Sequence, residues 1–190
     1  MPKIDTKTAL LNSAENAARR HGFDGFSYAD LAEDVGIRKA SIHHHFPSKA
    51  NLSVALMERY HKNFQEVCAD IDATCETGGA QLAELIQQYR KGNDDGKRIC
   101  LCASFSASRD SLPPEVVEKI SNFRAMVVGW MTSAFDKGRK DGTISSVTHP
   151  ALEATSMMSL LEGAQLAARA AENPILFENA TELLMRRIAT

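Results

Sequence analysis

The sequence predicts an all-α fold of about nine helices. Apolar residues recur at spacings of three and four along nearly the whole chain, the period of a helix with one buried face. No stretch alternates strongly, as a half-buried strand would. Breaks containing Gly or Pro divide the chain into segments of helical length. At 190 residues, 44% hydrophobic and 24% charged, the chain is long enough to bury a core and too apolar to be mostly disordered. No apolar run approaches the roughly 20 residues of a membrane-spanning helix. Met1-Pro2-Lys3-Ile4-Asp5 carries no signal-peptide core, so the expected location is the cytoplasm and no membrane is expected as a partner.

Asp5 is placed to cap a first helix running to about Arg20, in which Leu10, Leu11, Ala14, Ala17 and Ala18 recur at helical spacing. Gly22 ends it, and Phe23 and Phe26 in the following loop are candidates for the core. Ser27, with Asp30 three residues on, approximates a capping box at the head of a second helix, Tyr28 to about Asp34. Leu31, Ala32 and Val35 face inward. Gly36 breaks this helix, and a third runs from about Lys39 to His45. It stops at Phe46-Pro47, because the residue before Pro disfavours the helical conformation. Ser48 caps a long fourth helix reaching about Asp70, and a loop is expected around 69–79. A fifth helix, Gln81 to Lys91, ends in the turn cluster 92–96. Arg98 to Arg109 reads as a buried sixth helix. After Leu112-Pro113-Pro114 a seventh runs from about Glu115 to Lys140. His149-Pro150 opens an eighth, to about Ala171, and Pro174 a ninth, to about Ile188.

The net charge of −2 argues against a generic polyanion binder, but its distribution is uneven. Residues 1–62 hold nine Lys/Arg against seven Asp/Glu, and the remainder thirteen against seventeen. Five of the six histidines lie in the first 61 residues. A mildly basic, His-rich N-terminal module therefore precedes an acidic body, which hints at a nucleic-acid contact.

Residues 27–45 have the form helix, tight turn at Gly36, helix. Such a unit presents its second helix to the major groove of DNA, which is about 12 Å wide and admits one helix. Ile37, Ile42 and part of Ala40 should be buried. Arg38, Lys39, Ser41, His43 and His44 should be exposed, supplying donors for phosphates and base edges.

The run Phe26-Ser27-Tyr28-Ala29-Asp30-Leu31-Ala32-Glu33-Asp34-Val35-Gly36-Ile37, followed by Lys39-Ala40-Ser41-Ile42-His43-His44-His45-Phe46-Pro47-Ser48-Lys49, resembles the DNA-binding domain of the TetR family of bacterial transcriptional regulators. The resemblance covers about residues 5–60. It implies a helix-turn-helix DNA-binding domain over 1–48 and a helical effector-binding and dimerisation domain over 49–190. It further implies phosphate contacts from Ser27, Tyr28 and Lys49, and base or groove contacts from Lys39, Ala40 and His43. The partners it implies are an operator in double-stranded DNA, a small-molecule effector and a second copy of the chain. His43 stands where the family usually has Tyr, and Ala50-Asn51 where Glu-Ala is common. The first departure bears on how the operator is contacted.

Other features carry competing readings. His43, His44 and His45 lie about 100° apart around one helix, so they cannot chelate one ion, and no metal or other cofactor is expected. His45 is expected to pack inward. Cys68, Cys75, Cys100 and Cys102 have no metal-ligand spacing and read as thiols, mostly buried. A thiol-based redox or electrophile sensor using Cys100 or Cys102 is the alternative function. On one helix those two would lie about 200° apart, too far round for a disulfide without unwinding. Cys102, Phe105, Phe123, Met126, Trp130, Met157 and Leu161 are candidates for the wall of an apolar effector pocket, or simply core. Few charges lie among them, which favours an apolar or aromatic effector. Small residues such as Gly163, Ala164 and Ala167 let helices approach closely. The resemblance implies that the helices over 150–188 pair with their copies in a homodimer. Two recognition helices would then meet successive major grooves of a near-palindromic operator. No His-Glu-x-x-His, phosphate-binding Gly loop or Gly-x-Ser-x-Gly is present to support an enzyme. The leading reading is a ligand-responsive repressor, and a protein-only helical adaptor is its rival.

Overall fold

The structure is a computed structural model that describes residues 5–188. Nine α-helices span the described residues: α1 (Thr6–His21), α2 (Tyr28–Val35), α3 (Lys39–His45), α4 (Lys49–Thr74), α5 (Gly78–Asn93), α6 (Leu101–Ser106), α7 (Pro114–Asp141), α8 (Pro150–Ala170) and α9 (Ile175–Met185). A single turn of 3₁₀ helix covers Arg109–Ser111. None of these helices is long and apolar enough to cross a membrane.

The chain forms two compact units. The first comprises residues 5–62 and 101–122, the second 63–100 and 123–188. The expected boundary at 48/49 falls inside the first unit, which the α6 residues join. The physical reason is α6. Its Ser104 hydroxyl donates to the Ala18 carbonyl near the end of α1, and Phe105 meets Phe23 edge-on at 5.5 Å. Arg59 of α4 adds a second tie. Its guanidinium donates to Asn12 Oδ1, the Leu11 carbonyl and Glu15 Oε2, each at 2.8 Å. Leu10, Ala14 and Ala18 of α1, Leu52 and Leu56 of α4, and Phe105 are wholly buried in this unit.

In the second unit Phe64 meets Tyr89 and Phe123 edge-on at 5.8 and 5.3 Å. Gln165, 1% exposed, donates to the Tyr89 carbonyl and accepts from the Cys100 amide. This one side chain joins α5, α8 and the non-helical stretch before α6. It also explains why the predicted helix over 98–109 is cut to Leu101–Ser106. The Asp94-Asp95-Gly96 turn has positive φ throughout, and the Cys100 amide is taken by Gln165 instead of by a helix. Cys100 therefore precedes α6, so it does not share a helix with Cys102 as the sequence suggested.

The loop expected over 69–79 shrinks to 75–77, because α4 runs on to Thr74 and α5 starts at Gly78. Two glycines head α5 because its first turn lies against α7. The amide of Gly78 donates to Asp141 Oδ2 and that of Gly79 to Thr143 Oγ1. At the other end of the chain, the ninth helix stops at Met185 rather than Ile188. Arg187 forms a two-pronged ion pair with Glu153 of α8, and Ile188 bridges to Ile144 in extended backbone.

The glycines yield a paired prediction. A methyl group at Gly78 would lie 2.1 Å from the Gly138 nitrogen and 2.4 Å from the Ala134 carbonyl oxygen, whereas one at Gly129, mid-α7, would meet nothing within 4 Å. Gly78→Ala is expected to lower the unfolding free energy by about 3 kcal/mol or more. Gly129→Ala should raise it by about 0.5–1 kcal/mol. Urea titration of the two variants checks both signs.

Candidate nucleic-acid interface

The site is built on α2 and α3. Ser27 Oγ accepts from the amides of Ala29 and Asp30, and Asp30 Oδ2 accepts from the Ser27 amide at 2.7 Å. This is the capping box read from the sequence, with Asp in the role usual for Glu. Gly36 closes the helix at φ 71°, a conformation that costs a residue with a Cβ more than it costs glycine. Its amide bonds the Glu33 carbonyl, and the Ile37 amide bonds that of Ala32, the paired pattern of a Schellman ending. The chain thereby reverses into α3 within three residues.

Three interactions hold α3 to its support. Ile42 is fully buried on its inner side. The Tyr28 hydroxyl donates to the Phe46 carbonyl at 2.9 Å, just past the helix end. Burial pushes that phenol up to about 12, so it stays a neutral donor. Phe46 itself is 3% exposed, which fixes the exit of α3.

The opposite side of α3 is open. Arg38, Lys39, Ala40, Ser41, His43 and His44 are all exposed. They form a run of two cations, two imidazoles, a hydroxyl and a methyl on one short helix and its cap. The structure thus brings together six of the nine residues singled out for DNA contact. Ala40 is fully on the open side rather than partly buried. His45 is half-buried instead of interior, its ring 5.4 Å from that of His44. His43 lies edge-on to Tyr28 at 5.0 Å, with Nδ1 3.2 Å from the Pro47 carbonyl oxygen.

The other three behave differently. The Ser27 hydroxyl is taken up by the capping box, accepting two amides and donating to Asp30. Tyr28 is 7% exposed and its hydroxyl is committed to Phe46. Lys49 turns inward. Its Nζ donates to the Phe26 carbonyl at 2.6 Å and lies 4.2 and 4.7 Å from the Phe26 and Phe23 ring centroids. Burial draws its ammonium below the ordinary lysine value, against the pull of Asp24 and Asp30. Sequence reasoning missed this role. The available signal was the Phe23-Phe26 pair, whose ring faces attract a cation.

The candidate effector residues do not share one unit. Cys102 and Phe105 belong to the first unit, where both are wholly buried and Phe105 packs on Phe23. Phe123, Met126, Trp130, Met157 and Leu161 belong to the second. Phe123 and Leu161 are core there, and Trp130 Nε1 donates to both Asp72 carboxylate oxygens at 3.1 Å. An apolar depression of about 330 Å³ in the second unit is lined by Phe135, Met157, Leu160, Leu183 and Leu184 and bordered by the Glu153–Arg187 pair. Of the seven candidates only Met157 touches it. All four cysteines are thiols, and burial together with Asp72 pushes Cys68 up to about 12. Among the described residues no cluster of three or more His, Cys, Asp or Glu is placed to hold a metal.

Comparison with known proteins bears on this geometry. Residues 10–56 match the model of the family described as bacterial regulatory proteins, tetR family. A TetR-family transcriptional regulator from Agrobacterium tumefaciens has a solved structure that is 29% identical, with 97% of each chain covered and a TM-score of 0.91. The HTH-type transcriptional repressor NemR of Escherichia coli is 24% identical over 98% of this chain and 95% of its own length. The crystal structure of NemR in its reduced form has a TM-score of 0.83, with 98% of each chain covered. The matched segment holds the whole of α2, α3 and the carbonyl ties described above, and the likeness to the solved structures runs the length of the chain. Over residues 10–56 the chain carries the N-terminal segment of the TetR family of bacterial regulatory proteins, and over its length it is similar to solved structures of that family.

Proposed function

We propose that this chain is a ligand-responsive repressor. It binds a near-palindromic operator as a homodimer and leaves it when a small apolar or aromatic molecule binds. The observation that carries the reading is the open row Arg38 to His44 on a helix whose inner side is locked by Ile42 and Tyr28. A rigid helix with its donors facing solvent is what reading base edges requires. The description of NemR as a repressor supports the sign of regulation.

Support for the dimer comes from α8 and α9. The large hydrophobic residues left exposed in the described chain, Leu152, Leu166, Ile175 and Leu183, all lie on these two helices, at 66, 47, 60 and 74% exposure. Large exposed apolar side chains gathered on two helices are what a protein interface would cover. The apolar depression on the same two helices supports an apolar occupant, whether a ligand or a side chain from a second copy. Cys100 and Cys102 are 2% and 0% exposed, so thiol sensing has less support than ligand sensing. A cytoplasmic location accords with a DNA-binding role.

Selection of genomic fragments by the purified protein, followed by footprinting, tests the operator reading. A protected near-palindrome is expected, and binding without sequence preference would overturn it. On that operator Arg38→Ala and Lys39→Ala should each weaken specific binding by about 1–3 kcal/mol, with thermal melts unchanged. Lys49→Ala should instead lower stability by about 1–3 kcal/mol through loss of the Phe26 bond and the ring contacts, and leave the salt slope as it was. A slope reduced by about one unit would show that Lys49 meets phosphate after all.

Leu183→Glu places a charge on the most exposed of the four apolar residues. It should convert dimers to monomers in sedimentation equilibrium. A wild-type chain that is monomeric at micromolar concentration would sink the dimer reading.

A further inference from the structure

His43 makes one contact that determines what the rest of its ring can do. Nδ1 lies 3.2 Å from the backbone carbonyl oxygen of Pro47. A carbonyl can only accept, so this nitrogen carries the hydrogen. The neutral ring then has a lone pair at Nε2, on its far edge, and Nε2 is a pure acceptor. When the ring is protonated Nε2 becomes a donor while the Pro47 bond persists. The residue is exposed, and Tyr28 packs on the ring edge-on at 5.0 Å, which limits its rotation.

We propose that His43 is a specificity-determining residue whose outer nitrogen changes hydrogen-bond sense with pH, so that the operator is held more tightly as pH falls. The inference rests on α3 being the element that reads the operator. The acceptor that Nε2–H would meet is the O6/N7 edge of guanine, a base edge that only accepts; a phosphate contact would carry no sequence information and would cancel against a scrambled duplex. A polyanion beside the ring also favours the imidazolium over the neutral form. A neutral ring at the same place sets lone pair against lone pair and is repelled.

The groups around His43 are compatible with this. From α2, the Tyr28 hydroxyl is bonded to Phe46 and the Asp30 carboxylate to Ser27. From α3, Lys39 stands one turn earlier and His44 follows. At the head of α4, Lys49 is turned to the Phe26 carbonyl. The negative charge that favours the protonated ring arrives with the duplex, which places the proton uptake at the binding step.

The test measures operator affinity at about pH 6 and about pH 8, the interval in which imidazoles change charge, at constant ionic strength. A scrambled duplex of equal length corrects for overall charge. Binding by the wild type, so corrected, is expected to be about five- to tenfold tighter at the lower pH, the yield of one linked proton. His43→Gln carries a non-titrating amide that reaches as far as Nε2, and its ratio should fall to about one. His43→Asn keeps a group near Nδ1 for Pro47 but nothing at Nε2. It should lose the tight binding at low pH while melting like the wild type. His44→Gln should keep the wild-type ratio. A sequence preference with a flat pH profile, or an unchanged ratio in His43→Gln, overturns this proposal and leaves the operator reading intact. No sequence preference at either pH overturns the operator reading, and this proposal with it.

Discussion

Two backbone carbonyls, those of Phe26 and Phe46, are the points on which the candidate interface depends. They bracket α2 and α3, one just before the pair and one just after. Each is held by a donor from another part of the unit: Lys49 for Phe26, Tyr28 for Phe46. Helices of eight and seven residues are too short to be stable alone. Their conformation is therefore imposed by packing and by these ties. A buried bond to a backbone carbonyl is lost whole or kept whole, since leaving the oxygen unpaired costs about 1–3 kcal/mol. α3 is accordingly held in one pose, with its outward residues facing solvent.

Local chemistry made the second and third helices legible in the sequence. Ser27, Asp30 and Gly36 act on their own immediate backbone, so a reader of residues can follow them without knowing the fold. Pro47 does the same for the end of α3. Lys49 was not legible in this way. An ammonium at the head of a helix reads as a phosphate ligand until Phe23 and Phe26, more than twenty residues earlier, are seen to face it. For Phe105, read as pocket wall or core, the sequence left the choice open for the same reason. Its apolar character was plain, but its partner Phe23 lies in a different stretch of chain. The helix predicted over 98–109 was shortened by Gln165, which is distant in sequence by more than sixty residues. In each case the deciding contact is long-range, and periodicity carries no information about it.

The second unit shows a different balance. Its core is apolar and aromatic, yet Gln165, Gln81, Asn93 and Thr181 are buried there. Each has a partner: Gln81 bonds Asp72, Asn93 the Arg98 carbonyl, Thr181 the Phe177 carbonyl, and Gln165 the Tyr89 carbonyl and Cys100 amide. Satisfied polar groups of this kind add little net stability, but they tolerate few alternative packings. Gly78 and Gly138 impose a comparable restriction by sterics, since neither has room for a methyl group. The close approach of α5 to α7 and the position of the stretch before α6 are thus specified by residues whose replacement has no neutral direction.

Charge sets the terms on which such a protein can bind DNA. With a net charge of −2 and all of its acidic excess beyond residue 62, the chain is not drawn to a polyanion as a whole. Attraction has to come from a few groups close to the duplex. Of the cations near α3, Lys49 is consumed by the fold, which leaves Arg38 and Lys39 and the histidines that follow. A small number of phosphate contacts gives weak non-specific affinity and a shallow salt dependence. Discrimination then rests on the geometry of individual hydrogen bonds rather than on bulk electrostatics. In that setting the state of a single imidazole matters more than it would on a strongly basic surface. One donor gained or lost is a large share of the total, and it is the rigidity supplied by Tyr28 and Pro47 that lets one ring nitrogen carry it.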